Sequence, residues 1–211
     1  MLKNIKVILW DLDGTLYKSI DKLKDERWKI DVEVVAEILH LSYKEAEKKL
    51  LRKVKIHKSV TRSMSTLGCG DEIEILKKVE PRIDRSKYLS RDEDLIRLFK
   101  DLSLYQHYIF SNILVYCIPP VLIKLGLRPS IFNGFITTEV TKTVKPDPGF
   151  FQYALKLIGL PPEQCLVIGD RFDVDLAPAK KLGMKTCLVW GKSDLVDISI
   201  PEVYSLSKYL E

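Results

Sequence analysis

Ile5-Lys6-Val7-Ile8-Leu9-Trp10, followed at once by Asp11-Leu12-Asp13-Gly14-Thr15, decides the architecture of this chain. The first six residues are apolar and largely β-branched apart from Lys6, as expected of a strand buried on both faces of a parallel sheet. Residues two apart on an extended chain point the same way, so Asp11 and Asp13 face one site. Like charges this close resist joint ionisation, which points to a bound divalent cation or to one protonated acid. Gly14 releases the chain into a tight turn, and the Thr15 hydroxyl can hold that turn. Taken alone, Asp-x-Asp-Gly is equally a capped turn. An EF-hand is a poor alternative, because Gly14 comes too early and Lys22 stands where the bidentate glutamate belongs.

Working outward, the runs His107–Phe110, Gly134–Thr137, Cys165–Ile168 and Thr186–Trp190 read as further buried strands with helical patterns between them. Strands alternating with helices imply right-handed βαβ units and an α/β fold, a doubly wound parallel sheet. Asp147 caps a helix over Pro148–Ile158, with proline in the first turn and Gly159 at the exit. A second helix, Val174 to Leu182, ends at Gly183, and Pro178 must lie in its first turn or kink it. The interval from Tyr17 to Leu102 carries no strand pattern and reads as a helical insert. Capping-box pairs mark helix starts in it at Ser42 with Glu45, Asp71 with Glu74, and Ser90 with Glu93. Gly68-Cys69-Gly70 breaks the middle of the insert, and Pro81 ends another helical run.

The remaining chemistry-bearing residues also fall at strand ends, where open α/β sheets place their ligands. Ser111-Asn112 follows the second strand. Lys145 precedes the helix that starts at Pro148, where it offers an anion a point charge beside free N–H groups. Gly169-Asp170-Arg171-Phe172-Asp173-Val174-Asp175 closes the fourth strand with carboxylates suited to a hard cation. Each alone has an ordinary reading, as a turn pair, a helix start or an acidic loop.

Composition narrows the class further. The 211 residues are 46% hydrophobic, enough for a core in one domain with an insert. No stretch approaches the roughly 20 apolar residues of a membrane span, and the N-terminal run lacks a small-residue cleavage site. A soluble, cytoplasmic protein is expected. The 4 cysteines are scattered without metal-ligand spacing, and Cys165 and Cys187 read as core thiols. Net charge is +5, densest from Lys44 to Lys58. That segment reads as a solvated helix face, with a basic lip for an anionic substrate as the sharper alternative. Aromatic residues are not interleaved with it, so nucleic acid is not an expected partner.

Together, Asp11-Leu-Asp13-Gly-Thr15, Ser111, Lys145 and Gly169-Asp170-x-x-x-x-Asp175 resemble the four motifs of the haloacid dehalogenase superfamily. The resemblance covers the whole chain, and phrases such as VKPDPGFF look like its small phosphatases, including phosphoglycolate phosphatase-like and pyrimidine nucleotidase-like members. It implies a Rossmann-like core in residues 1–16 and 103–211 and a helical cap in residues 17–102. It further implies that Asp11 is the nucleophile of an aspartyl-phosphate mechanism, with Asp13 the general acid and base. Ser111 and Lys145 would hold the phosphoryl group, and Thr15 and Asn112 would contact the substrate. Magnesium would be held by Asp11, the Asp13 carbonyl, Asp170 and Asp175, leaving Asp173 as a partner for Arg171 or a solvated loop charge. The implied partner is a small phosphorylated metabolite; Trp28, Tyr43, His57 and Arg62 are candidate cap contacts to it, each of which also reads as a packed or surface residue. A dehalogenase of this fold characteristically lacks the second aspartate. A phosphomutase needs sugar-binding groups not identifiable here, and a non-catalytic binding protein leaves the intact motif set without a purpose.

Overall fold

The computed structural model describes residues 2–18 and 20–211. Met1 and Ser19, which fall in the expected core and insert respectively, lie outside the described residues. The chain divides into two compact units, Met1–Ser19 with Leu89–Glu211 and the intervening Ile20–Tyr88. No helix among the described residues is long and apolar enough to cross a membrane.

The first unit is built on a 6-stranded sheet of β1 (Val7–Trp10), β2 (Gln106–Ser111), β3 (Gly134–Thr137), β4 (Cys165–Gly169), β5 (Lys185–Val189) and β6 (Ile198–Ile200), in the order β3-β2-β1-β4-β5-β6. Every pairing is parallel. The first five strands stand where the apolar runs placed them, to within a residue or two. β5 stops at Val189 because Trp190 turns to a φ of 61°, outside strand geometry. β6 was not anticipated: its three residues, Ile-Ser-Ile, are too short for periodicity to register, and pairing with β5 makes them a strand.

The second unit holds α1 (Asp21–Leu39), α2 (Tyr43–His57), α3 (Val60–Thr66) and α4 (Glu72–Val79). The capping boxes expected at Ser42 with Glu45 and at Asp71 with Glu74 are both formed. In each, the cap side chain accepts from the helix while the glutamate reaches back to the cap's N–H, satisfying donors that the first turn leaves open. The Gly68–Gly70 break falls between α3 and α4. Lys44, Lys48, Lys49, Arg52 and Lys55 line an exposed face of α2.

Among the described residues the first unit also holds the α-helices α5 (Glu93–Asp101), α6 (Ile118–Leu125), α7 (Thr138–Thr141), α8 (Pro148–Ile158) and α9 (Ala177–Lys181). They explain why the central strands β1 and β4 are apolar and buried along their whole length. Val7 and Leu9 join a buried cluster with Phe110, Phe150 and Phe151, whereas Trp10 packs on Phe99 of α5 with ring centroids 5.0 Å apart. That contact, with buried Leu95 and Leu98, makes α5 part of the sheet unit, so the insert ends at Tyr88 and not at Leu102. Its cap also differs from the expected Ser90. Asp92 accepts from Leu95 N–H at 2.9 Å, and the Glu93 carboxylate is drawn to Arg91 at 2.6 Å. α8 has the expected Asp147 cap and Gly159 exit. The helix expected over Val174–Leu182 is instead a wide π-type turn, Phe172–Leu176, leading into α9. Pro178 has no N–H to give to Val174, and the wide turn avoids needing one.

Candidate active site

The strand order reverses between β1 and β4, and an open parallel sheet leaves a crevice at the carboxyl ends of such strands. Asp11 sits at its lip, its N–H donating to the Ile168 carbonyl at 3.0 Å as a last rung of the ladder. Two glycines let carboxylates crowd in. A Cβ on Gly14, whose φ is 87°, would lie 2.6 Å from Asp170 Oδ2, and one on Gly169 would lie 2.6 Å from the Asp175 Cβ.

Lys145 is the centre of the arrangement. Its side chain is fully buried, and Nζ donates to Asp11 Oδ1 at 2.8 Å, Asp175 Oδ1 at 2.6 Å and the Phe110 carbonyl at 2.8 Å. All three ammonium protons are thus used, the condition under which a charge can be buried. Burial works against that charge, but Asp11 and Asp175 outweigh it and lift the lysine's pKa above its ordinary value. Its backbone is clamped as well: Lys145 N–H donates to Asn112 Oδ1 at 2.7 Å, and Asn112 Nδ2 donates to the Lys145 carbonyl at 3.0 Å.

Asp175 is buried on the wide turn, and its Oδ2 accepts from the Arg171 N–H at 3.3 Å. Burial raises the pKa of Asp11, Asp175 adds to the rise, and Lys145 opposes it. The Asp170 carboxyl is pushed up to about 7, first by burial and then by the charges of Asp11 and Asp175. These are the marks of a carboxylate cluster short of positive charge. Oxygens of Asp11, Asp170 and Asp175 all lie within 4.8 Å of one another, and Asp170 Oδ1 is buried without a hydrogen-bond partner. An all-oxygen set with an orphaned buried acceptor fits a hard divalent cation such as Mg2+.

The other expected residues fall into distinct places. Ser111 is buried at the end of β2, next to Thr137 in register. Asp173 is exposed and stands outside the group formed by Asp11, Asp170 and Asp175. Thr15 and Asn112, expected to contact substrate, have other side-chain partners: the Thr15 hydroxyl donates to Asp11 Oδ2 at 3.4 Å, and the Asn112 amide is taken up by Lys145. In the second unit, Trp28 donates to Glu47 at 3.2 Å and Arg62 to Glu72 at 3.0 Å, so both have structural partners. Asp13 has a partner that spacing did not suggest. The hydroxyl of Tyr17, a residue expected in the insert, donates to Asp13 Oδ1.

Comparisons with known proteins agree with this geometry. The family described as haloacid dehalogenase-like hydrolase matches residues 5–183. The chain is 30% identical over 200 residues to the glyceraldehyde 3-phosphate phosphatase of Methanocaldococcus jannaschii, covering 86% of this chain and 83% of that protein. It is 27% identical over 195 residues to the protein of the same name from Methanopyrus kandleri, covering 86% and 82%. Among solved structures, a HAD phosphatase from Thermococcus onnurineus superposes with a TM-score of 0.65 at 21% identity, covering 97% of each chain, a likeness of fold. With its motif residues gathered at the carboxyl edge of β1, β2 and β4, the chain belongs to the haloacid dehalogenase-like hydrolases, in their phosphatase branch.

Proposed function

We propose that the protein hydrolyses small phosphate monoesters in a magnesium-dependent reaction through an aspartyl phosphate on Asp11. The observation that carries this reading is the buried Lys145 ammonium bonded to both Asp11 and Asp175. It keeps a carboxylate available as a nucleophile in a site whose burial would otherwise favour the neutral acid.

Asp11 attacks phosphorus and forms a new O–P bond as the bond to the leaving oxygen breaks. Asp13 gives its proton to that oxygen. As a carboxylate, Asp13 then takes a proton from water, which attacks the phosphorus of the aspartyl phosphate and frees inorganic phosphate and Asp11. Ser111 holds a phosphoryl oxygen, Lys145 moderates the charge of the carboxylates it bonds, and Thr15 and Asn112 keep Asp11 and Lys145 in place. Magnesium, held by Asp11, the Asp13 carbonyl, Asp170 and Asp175, would neutralise phosphoryl charge. The Ile20–Tyr88 unit is assigned the role of a cap that carries substrate discrimination. The archaeal relatives' names make a triose phosphate the first candidate among small phosphorylated metabolites.

The test is inorganic phosphate release from glyceraldehyde 3-phosphate, phosphoglycolate, sugar phosphates, nucleoside monophosphates and p-nitrophenyl phosphate, with magnesium or EDTA. Release is expected with magnesium only, and Asp11→Asn should lower kcat by on the order of 10⁴-fold. Magnesium-independent chloride release from a 2-haloacid, without phosphate release from any ester, would overturn the reading.

A further inference from the structure

Asp13 and Tyr17 are brought together by the turn at Gly14. Their backbones form an isolated parallel bridge, and the Tyr17 hydroxyl donates to Asp13 Oδ1. Tyr17 is only 6% exposed, whereas Asp13 is half-buried, so the phenol reaches the carboxylate from the protein side. We propose that Tyr17 is a positioning residue for the acid–base step, holding Asp13 by Oδ1 so that Oδ2 carries the proton exchanged with substrate and water. The proposal rests on the phosphatase reading above.

The chemistry is consistent in both halves of the reaction. When Asp13 is a neutral acid, Oδ1 is its carbonyl oxygen and accepts from the phenol, which leaves the acidic proton on Oδ2. As the bond between phosphorus and the leaving oxygen breaks, that proton moves to the leaving oxygen. In the second half, Oδ1 still accepts from the phenol while Oδ2 takes a proton from water. Tyr17 keeps its own proton throughout. The hydrogen bond to the phenol holds one oxygen of the Asp13 carboxyl and so favours side-chain orientations useful for transfer.

A buried phenol also needs a partner for its own sake, so the test must separate packing from positioning. Protonation of the leaving group matters for a basic alkoxide and little for a nitrophenolate, which departs unaided. The experiment measures kcat/KM for glycerol 3-phosphate and for 2,4-dinitrophenyl phosphate, with magnesium, in wild type, Tyr17→Phe, Asp13→Ala and the double variant. Values are corrected for folded fraction by circular dichroism melting. Tyr17→Phe is expected to lose about tenfold or more beyond its loss on the dinitrophenyl ester when acting on the alkyl ester. In the Asp13→Ala background the same change should add no further discrimination. Equal losses on the two esters, or undiminished discrimination without Asp13, would overturn the assignment of Tyr17 alone. A wild type inert toward both esters and toward every ester of the phosphate-release panel would overturn the phosphatase reading and this proposal together.

Discussion

His107 illustrates how one side chain can be fixed by its neighbours' chemistry. The Trp10 indole can only donate, and it donates to His107 Nδ1 at 3.1 Å; Nε2 must therefore carry the hydrogen that reaches the Leu102 carbonyl at 3.0 Å. Phe99 and Phe132 pack on the ring. Burial lowers the pKa of this neutral imidazole below 6.5, with the Leu102 contact opposing. The unfolded chain thus binds the proton more readily than the folded one. The stability His107 confers is complete above about pH 6.5 and is lost as pH falls from there toward the folded-state value. Urea midpoints should accordingly fall between about pH 7.5 and about pH 5, and His107→Phe should flatten that part of the profile. The variant should also be less stable at neutral pH by about 1–3 kcal/mol, because Trp10 Nε1 is left buried without an acceptor.

At the scale of elements, the second unit is tied together by charges. Arg27 on α1 donates to Asp31 at 3.2 Å and to Glu80, just past α4, at 2.8 Å. Arg85 in the following short helical turn lies 2.9 Å from the other Glu80 oxygen. Asp31, Glu80 and Arg85 are all buried, and burial raises the Asp31 carboxyl's pKa against the pull of Arg27. Breaking such a network from one side leaves uncompensated charge. Glu80→Leu should cost about 3–5 kcal/mol in thermal unfolding, and adding Arg85→Met should recover part of the loss. A variant pair no less stable than wild type at both steps would mean that the network is solvated and not a tie. The α2 cap is a gentler case: Ser42→Ala should cost about 1 kcal/mol by the same measurement, since Glu45 N–H loses its side-chain acceptor.

For the whole molecule, a cation held by the carboxylate cluster would couple its binding to folding. A cation that binds only the folded chain stabilises it by mass action, about 2.7 kcal/mol at a concentration 100 times Kd. Magnesium should therefore raise the melting temperature of the wild type, whatever the substrate. Asp170→Asn should lose most of that rise. In EDTA the same variant should melt no lower than wild type, because it removes a like charge from beside Asp11 and Asp175. An Asp170→Asn protein that still gained the full magnesium shift would place the cation elsewhere.

The sequence by itself determined the α/β class, the five longer strands, the placing of Asp11, Ser111 and Asp170 at strand ends and that of Lys145 shortly before the helix starting at Pro148, because apolar runs and turn residues are local signals. It also determined the caps at Ser42, Asp71 and Asp147, where acceptor and donor lie within three residues. Only the tertiary structure decided that Lys145 bonds Asp11 across 134 residues, that Asn112 clamps its backbone, and that Phe99 on Trp10 draws α5 into the sheet unit. The wide turn that buries Asp175 and the return of Tyr17 to Asp13 belong with these. Each depends on how strands, turns and helices stack, and stacking is set by contacts between residues distant in sequence or by a turn geometry that no periodicity records.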